Sequence, residues 1–209
     1  MATTNHELLY YIPAGQYGKE GVLALLEQHP EIKFVSLVGI DLAGNDTDEK
    51  IPMSAFFDDY ESFFEGRAVQ TDGSSVVLTN IATLNNARVD MWGDPSVNWF
   101  VDYNYENIDP ATGLPTGTLR IPAFLMHNYR YVDSRSILKR SCDYVKTELL
   151  NLIKEHGLPG MPHVKSDDVV DIIFTSATEL EFWVKTPART VTKKELSVSQ
   201  KLQEQYWQR

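Results

Sequence analysis

An α+β fold is predicted by three features of the sequence. The first 125 or so residues alternate several period-two apolar segments with two segments of helical spacing. A long amphipathic pattern then runs from Ser136 to His156. Near the end, Ile172, Phe174, Leu180, Phe182 and Val184 mark a further strand by their period of two.

Taken in order, Lys19 to His29 predicts a helix with Val22, Leu25 and Leu26 on one side, stopped at His29-Pro30. Phe34 to Leu42 predicts a strand, and Ala43-Gly44-Asn45-Asp46 a turn. The chain returns through Lys50-Ile51-Pro52-Met53, so a β-hairpin is expected. Met53, Phe56, Phe57, Tyr60, Phe63 and Phe64 then follow one helical pattern that Gly66 closes. Extended segments are expected to begin at Ser75–Leu78 and at Ala87–Trp92. Gly93-Asp94-Pro95 reads as a turn, Asn98–Tyr103 as a strand, Asn107–Thr118 as a Pro/Gly-rich loop, and Thr118–Leu125 as extended chain.

Composition shifts near His127-Asn128-Tyr129-Arg130. In the helix that follows, Leu138, Cys142, Val145, Leu149 and Leu152 share a stripe, which predicts a buried face with Cys142 as a core thiol. Gly157 is placed to cap its C-terminus. Asp133 is a candidate N-cap, with Arg135 as a local ion-pair partner. Lys193 to Arg209 predicts an exposed helix ending in Tyr206 and Trp207 with nothing after them to cover them.

The chain has 209 residues and a formal net charge of −10. That acidity argues against a nucleic-acid or anionic-membrane partner, since either calls for a basic surface. No apolar run approaches the roughly 20 residues of a membrane span, and Met1 to Tyr11 lacks signal-peptide features. With Cys142 as the single cysteine, neither an intrachain disulfide nor a cysteine-based zinc site can form. A cytoplasmic protein is expected.

Standard catalytic signatures are absent, and the five histidines show no metal-ligand spacing. Three carboxylate motifs remain. Glu179 and Glu181 lie two apart in the last predicted strand and so project from one face, about 6.5–7 Å from each other. Such a pair repels itself unless a cation lies between, and a divalent metal with oxygen ligands is a natural partner. A solvated strand face is the simpler alternative. Asp72, in Thr71-Asp72-Gly73-Ser74-Ser75, sits on a tight polar turn, free to face a cationic or amine ligand. Asp90 interrupts an apolar strand, where an outward-facing residue is expected.

In order along the chain come Ile51-Pro52-Met53-Ser54-Ala55-Phe56, Asp72-Gly73-Ser74-Ser75, Val89-Asp90-Met91, Asp94-Pro95-Ser96, Asp133-Ser134-Arg135-Ser136-Ile137-Leu138-Lys139-Arg140 and Glu179-Leu180-Glu181-Phe182. This series resembles the N-terminal part of the glutamine synthetase family, from about Phe34 to Lys185. The resemblance implies a β-grasp-like N-terminal domain over residues 1–126. The truncated beginning of the catalytic α/β domain would follow over residues 127–209. In that family Asp72 would help bind and deprotonate ammonium, Asp90 would support that site, and Glu179 and Glu181 would each hold one divalent metal, Mg2+ or Mn2+. The implied substrates are glutamate, ammonium and ATP, joined through γ-glutamyl phosphate. The implied assembly is a homo-oligomeric ring in which the N-terminal domain caps the neighbouring subunit's active site. Two motifs depart from the family: Ala177-Thr178 stands where Gly-Pro is usual, and Asp133-Ser134-Arg135 replaces Asp-Pro-Arg. The spacing from Asp72 to Asp90 is also longer than in the commonest bacterial form. The family's further metal, ATP and glutamate ligands lie beyond the region matched, so the fragment alone is expected to be inactive. The alternatives are a non-catalytic β-grasp-type interaction or regulatory module and a γ-glutamyl ligase for another amine. An unrelated α+β binding protein is a third.

Overall fold

The computed structural model describes residues 7–16, 18–78, 84, 87–179 and 181. The chain divides into two compact units, Met1–Ile172 and Ile173–Arg209. The first unit combines helices with a largely antiparallel sheet, in which eight strands are described. They are β1 (Tyr11–Ile12), β2 (Ile32–Ile40), β3 (Asp46–Pro52), β4 (Val69–Asp72), β5 (Arg88–Gly93), β6 (Trp99–Ile108), β7 (Pro115–His127) and β8 (Arg130–Tyr131), with helices α1 (Lys19–Glu27), α2 (Met53–Asp58) and α3 (Ser134–His156).

β7 is the spine. Its first part pairs parallel with β2 and antiparallel with β6, and its last part pairs antiparallel with β5 and β8. The β6 pairing reaches Phe100↔Arg120 and the β5 pairing begins at Gly93↔Ala123. Pro122, which has no N–H to give a ladder, falls in the gap between these two partners. Its carbonyl is not idle: it accepts from Asp94 N at 2.8 Å.

Alternation sorts the side chains. Val35 and Leu37 of β2, Leu119, Ile121, Ala123 and Leu125 of β7, and Trp99 and Val101 of β6 are all buried. They form one core with Val22 and Leu26 of α1 and Phe56 of α2. Aromatic rings lock the helical side, with Phe56 edge-on to Phe63 at 5.0 Å and Phe64 stacked on Trp99 at 5.3 Å. Across the sheet, Arg120 sits among carboxylates, 3.0 Å from Asp48 and 3.2 Å from Asp46.

Several expected elements hold with shifted ends. α1, the β2–β3 hairpin, β5, β6 and α3 are all present, and Gly157 follows α3 at φ 74°. The loop expected over residues 107–118 shrinks to a turn. There Asp109 accepts from Ala111 N at 3.2 Å and Thr112 Oγ1 at 3.1 Å, which lets β6 and β7 run further than Pro115 and Gly117 suggest.

Other expectations are corrected. The single helix from Met53 to Phe64 breaks at Asp59 (φ −132°, ψ 44°) and resumes as a 3-10 turn, Tyr60–Phe63. Gly66 closes it at φ 67°, where any side chain would collide with the Trp92 indole. The extended segment expected at Ser75–Leu78 is not a strand; the strand precedes it as β4, and Gly73–Ser75 forms a 3-10 turn. Arg135 does not pair locally. Its Nη1 reaches buried Asp94 at 2.9 Å while Asp133 caps α3 by accepting from Ser136 N at 2.8 Å.

The apolar stripe of α3 is not a buried face: Leu138 is 66% exposed, Leu152 52%, and Cys142 only half-buried, so a core thiol is not what the structure shows. The strand expected from Ile172 to Val184 is also absent among its described residues. Ile172–Glu179 and Glu181 adopt neither helix nor strand, because a period-two segment becomes a strand only where another strand accepts its hydrogen bonds. The helix expected from Lys193 to Arg209, with Tyr206 and Trp207, lies outside the described residues.

Leu119 is fully buried at the centre of β7. Leu119→Ala is expected to lower unfolding stability by about 3 kcal/mol in chemical denaturation. Ile108→Ala, at a half-exposed position at the end of β6, is expected to change it by less than about 0.5 kcal/mol.

Candidate functional site

β4 and β5 form an antiparallel ribbon in which Asp72 lies opposite Arg88 and Gln70 opposite Asp90. Val69, Thr71, Val89 and Met91 point into the core. Alternation therefore places Gln70, Asp72, Arg88 and Asp90 together on the outer face. Two of the carboxylates expected from the sequence thus share one small polar surface.

Their surroundings differ. Arg88 Nε donates to Asp90 Oδ1 at 2.7 Å, so the half-buried Asp90 is already neutralised. With its amide oxygen turned toward the guanidinium, Gln70 accepts from Arg88 at 3.1 Å as well. Asp72 is exposed and, among the described residues, meets no basic side chain. Its Oδ1 accepts from Ser74 N at 2.7 Å. The Ser74 hydroxyl and amide together hold the Asp72 carboxyl below its ordinary range. This is a permanently ionised, outward-facing oxygen acid at neutral pH, suited to an ammonium or another small cation.

The chain beyond Asp72 is tightly built. Gly73 N donates to Ala87 O at 2.7 Å, and a side chain at Gly73 would collide with the Leu84 backbone. Val76 and Leu78 are buried, so the loop is anchored on both sides of its 3-10 turn. A cleft of about 440 Å³ on the outer sheet face, lined in part by Val38, Phe100, Arg120, Pro122 and Arg135, does not include Asp72 or Asp90.

Glu179 and Glu181 are exposed and lie in irregular chain of the second unit. Among the described residues no group of three or more His, Cys, Asp or Glu side chains is arranged to hold a metal. Mg2+ takes six oxygens in a near-ideal octahedron and is commonly held by one or two carboxylates, with waters and substrate phosphates making up the rest. Glu179 and Glu181 would therefore hold such an ion only together with oxygens from elsewhere. No described helix is long and apolar enough to cross a membrane.

Sequence inspection missed Arg88, which pairs with Asp90, and the reach of the exposed Arg135 to the buried Asp94. It also missed Asp41, a fully buried carboxylate near the turn between β2 and β3. The signal for Arg88 was available: it precedes Asp90 by two positions, the spacing that puts both on one strand face.

The site is thus an acidic, outward-facing ribbon on a mixed helix-and-sheet domain. No family model matches the sequence, and no curated protein matches it. Among solved structures, the chain is similar to a Plasmodium falciparum glutamine synthetase determined by cryo-electron microscopy. The identity is 15% and the TM-score 0.43, over 66% of this chain and 24% of that one. The chain therefore spans about a quarter of the length of the structure it matches.

Because Ser74 helps depress the Asp72 titration, Ser74→Ala is expected to raise the Asp72 midpoint toward the usual carboxylate range. A carboxyl-carbon NMR titration reads this directly. An unchanged midpoint would mean that the Ser74 hydroxyl, as distinct from its amide, does not depress the Asp72 titration.

Proposed function

We propose that this chain is the N-terminal portion of a glutamine synthetase, the enzyme that ligates ammonium to glutamate at the expense of ATP. Support comes from the six motifs in family order. It comes also from one structural observation above the rest: Asp72 is an ionised carboxylate with no basic side chain beside it among the described residues. A carboxylate of that kind binds ammonium in preference to neutral ammonia and can accept its proton.

In this reading ATP first phosphorylates the glutamate side chain to γ-glutamyl phosphate. Asp72 takes a proton from ammonium, the freed ammonia attacks the acyl carbon, and inorganic phosphate leaves. Asp90, held by Arg88, keeps the ribbon rigid beside Asp72. Residues 1–126 would be the β-grasp-like domain and residues 127–209 the start of the catalytic domain. Glu179 and Glu181 would each contribute to one of two divalent ions, Mg2+ or Mn2+, and the remaining metal, nucleotide and glutamate ligands would come from the rest of the enzyme. Its expected setting is a cytoplasmic homo-oligomeric ring.

A second reading has its own observation. The uncovered stripe of α3, from Leu138 to Leu152, suits a non-catalytic interaction module that docks on another protein surface. The open position of Asp72 would also accept a larger amine than ammonium, as a γ-glutamyl ligase for another amine requires.

Glutamine formation from glutamate, ammonium and Mg-ATP is the deciding assay, run on this chain and on the chain extended through its natural reading frame. The chain alone is expected to be inactive and the extended form active. Asp72→Asn in the extended form is expected to lower kcat/KM for ammonium about 100-fold. Full activity of that variant would remove Asp72 from the chemistry, and an inactive extended form would favour the interaction module.

A further inference from the structure

Asp41 is buried with no accessible surface, yet no cation pairs with it among the described residues. Its charge is met entirely by N–H groups. Oδ1 accepts from Ala43 N and Asn45 N, both at 2.9 Å, and Oδ2 accepts from Asn45 Nδ2 at 3.0 Å and Val77 N at 2.9 Å. Three of these donors belong to the turn that follows β2. The fourth, Val77, is 36 residues away, on the loop that follows Asp72 at the end of β4. Leu42 N donates to Val77 O at 3.2 Å, so the two segments exchange hydrogen bonds in both directions.

Burial alone would raise the Asp41 titration. The donors from Val77, Asn45 and Ala43 outweigh it and hold the carboxyl below its ordinary value. With the folded value depressed, the ionised state and its bonds are complete above the usual carboxylate range and are lost as pH falls through the folded value.

A turn needs an aspartate only for its own amides; it has no need of Val77. The loop does. From Gly73 to Leu78 the chain has one short 3-10 turn and, among the described residues, no ladder partner of its own beyond Gly73. We propose that Asp41 is a positioning residue, which ties the Asp72 loop to the β2–β3 turn and so fixes where the Asp72 carboxylate is presented. Its consequence for ammonium use rests on the ligase reading above; the tie itself does not.

Two variants test it. Asp41→Asn replaces one acceptor oxygen with an NH2 that cannot receive the Val77 and Asn45 donors. Val77→Pro removes the cross-link donor without altering the Asp41 turn, and Val76, at φ −109° and ψ 105°, lies in the extended region close to what a following proline favours. In both, amide exchange of Ser74, Ser75 and Val76 in the chain as it stands is expected to speed up about tenfold or more relative to β2 and β7 amides. The Asp72 midpoint is expected to rise as its Ser74 contacts loosen. If Asp41→Asn does not fold, Val77→Pro decides alone. Unchanged loop exchange and an unchanged Asp72 midpoint overturn the proposal.

In the extended enzyme both variants are expected to raise KM for ammonium with KM for glutamate unchanged. If Asp72→Asn raises KM for ammonium and Val77→Pro does not, positioning by Asp41 is overturned. If neither does while the loop amides loosen, the tie stands and the ligase reading fails.

Discussion

The interaction on which the rest of the first unit depends is the pairing of β7 with four other strands. A 13-residue strand whose buried positions repeat every two residues can serve two partner sets in succession, provided something lets it change partners. Pro122 does this by withholding a donor at the place where β6 has ended and β5 has not begun. Beyond it, Leu125 joins the core and also anchors the start of α3: its amide donates to Asp133 Oδ2 at 3.3 Å, and its carbonyl accepts from Val132 N at 2.8 Å. The acidic ribbon, the α3 cap and the aromatic core are therefore all placed by one strand.

Three aspartates of similar sequence character have three different surroundings. Asp41 is buried and saturated by N–H donors, Asp90 is half-buried and paired with Arg88, and Asp72 is exposed with, among the described residues, only Ser74 as partner. Desolvation and hydrogen-bond supply, not residue type, separate a buried structural charge from an open surface one. An unmet negative charge is stable only at the surface, which is where Asp72 lies.

The periodic elements were legible in the sequence because their pattern is local. α1, the β2–β3 hairpin, β5 and the span of α3 follow from alternation, 3.6-residue spacing and caps within a few residues. Elements set by distant partners were not. The start of β7 carries Pro115 and Gly117, which locally read as loop although the stretch from Thr118 reads as extended, and that part is strand because β2 and β6 flank it. Period two from Ile172 onward does not produce a strand among the described residues, since pairing requires a neighbour that pattern alone does not supply. Asp72 and Asp90 were recognisable as candidates, and their common face follows from the register of β4 on β5. The opposite charge environments were not recognisable, nor was the tie from Asp41 to Val77, whose partners are 36 residues apart.

The parallel pairing of β2 with β7 joins residues roughly eighty positions apart, such as Val35 and Leu119. No hairpin can nucleate it. During synthesis β2 can close on β3 at once, but its other edge must wait until β4, β5 and β6 have left the ribosome. Until β7 arrives, that edge is an open row of amides and carbonyls bordered by Val35 and Leu37, the same residues that later make the core. The long closure predicts slow, late-committing folding in which the β6–β7 hairpin forms first and then captures β2. The hazard of misassembly falls in that interval, when the exposed strand can pair with the β2 of another nascent chain.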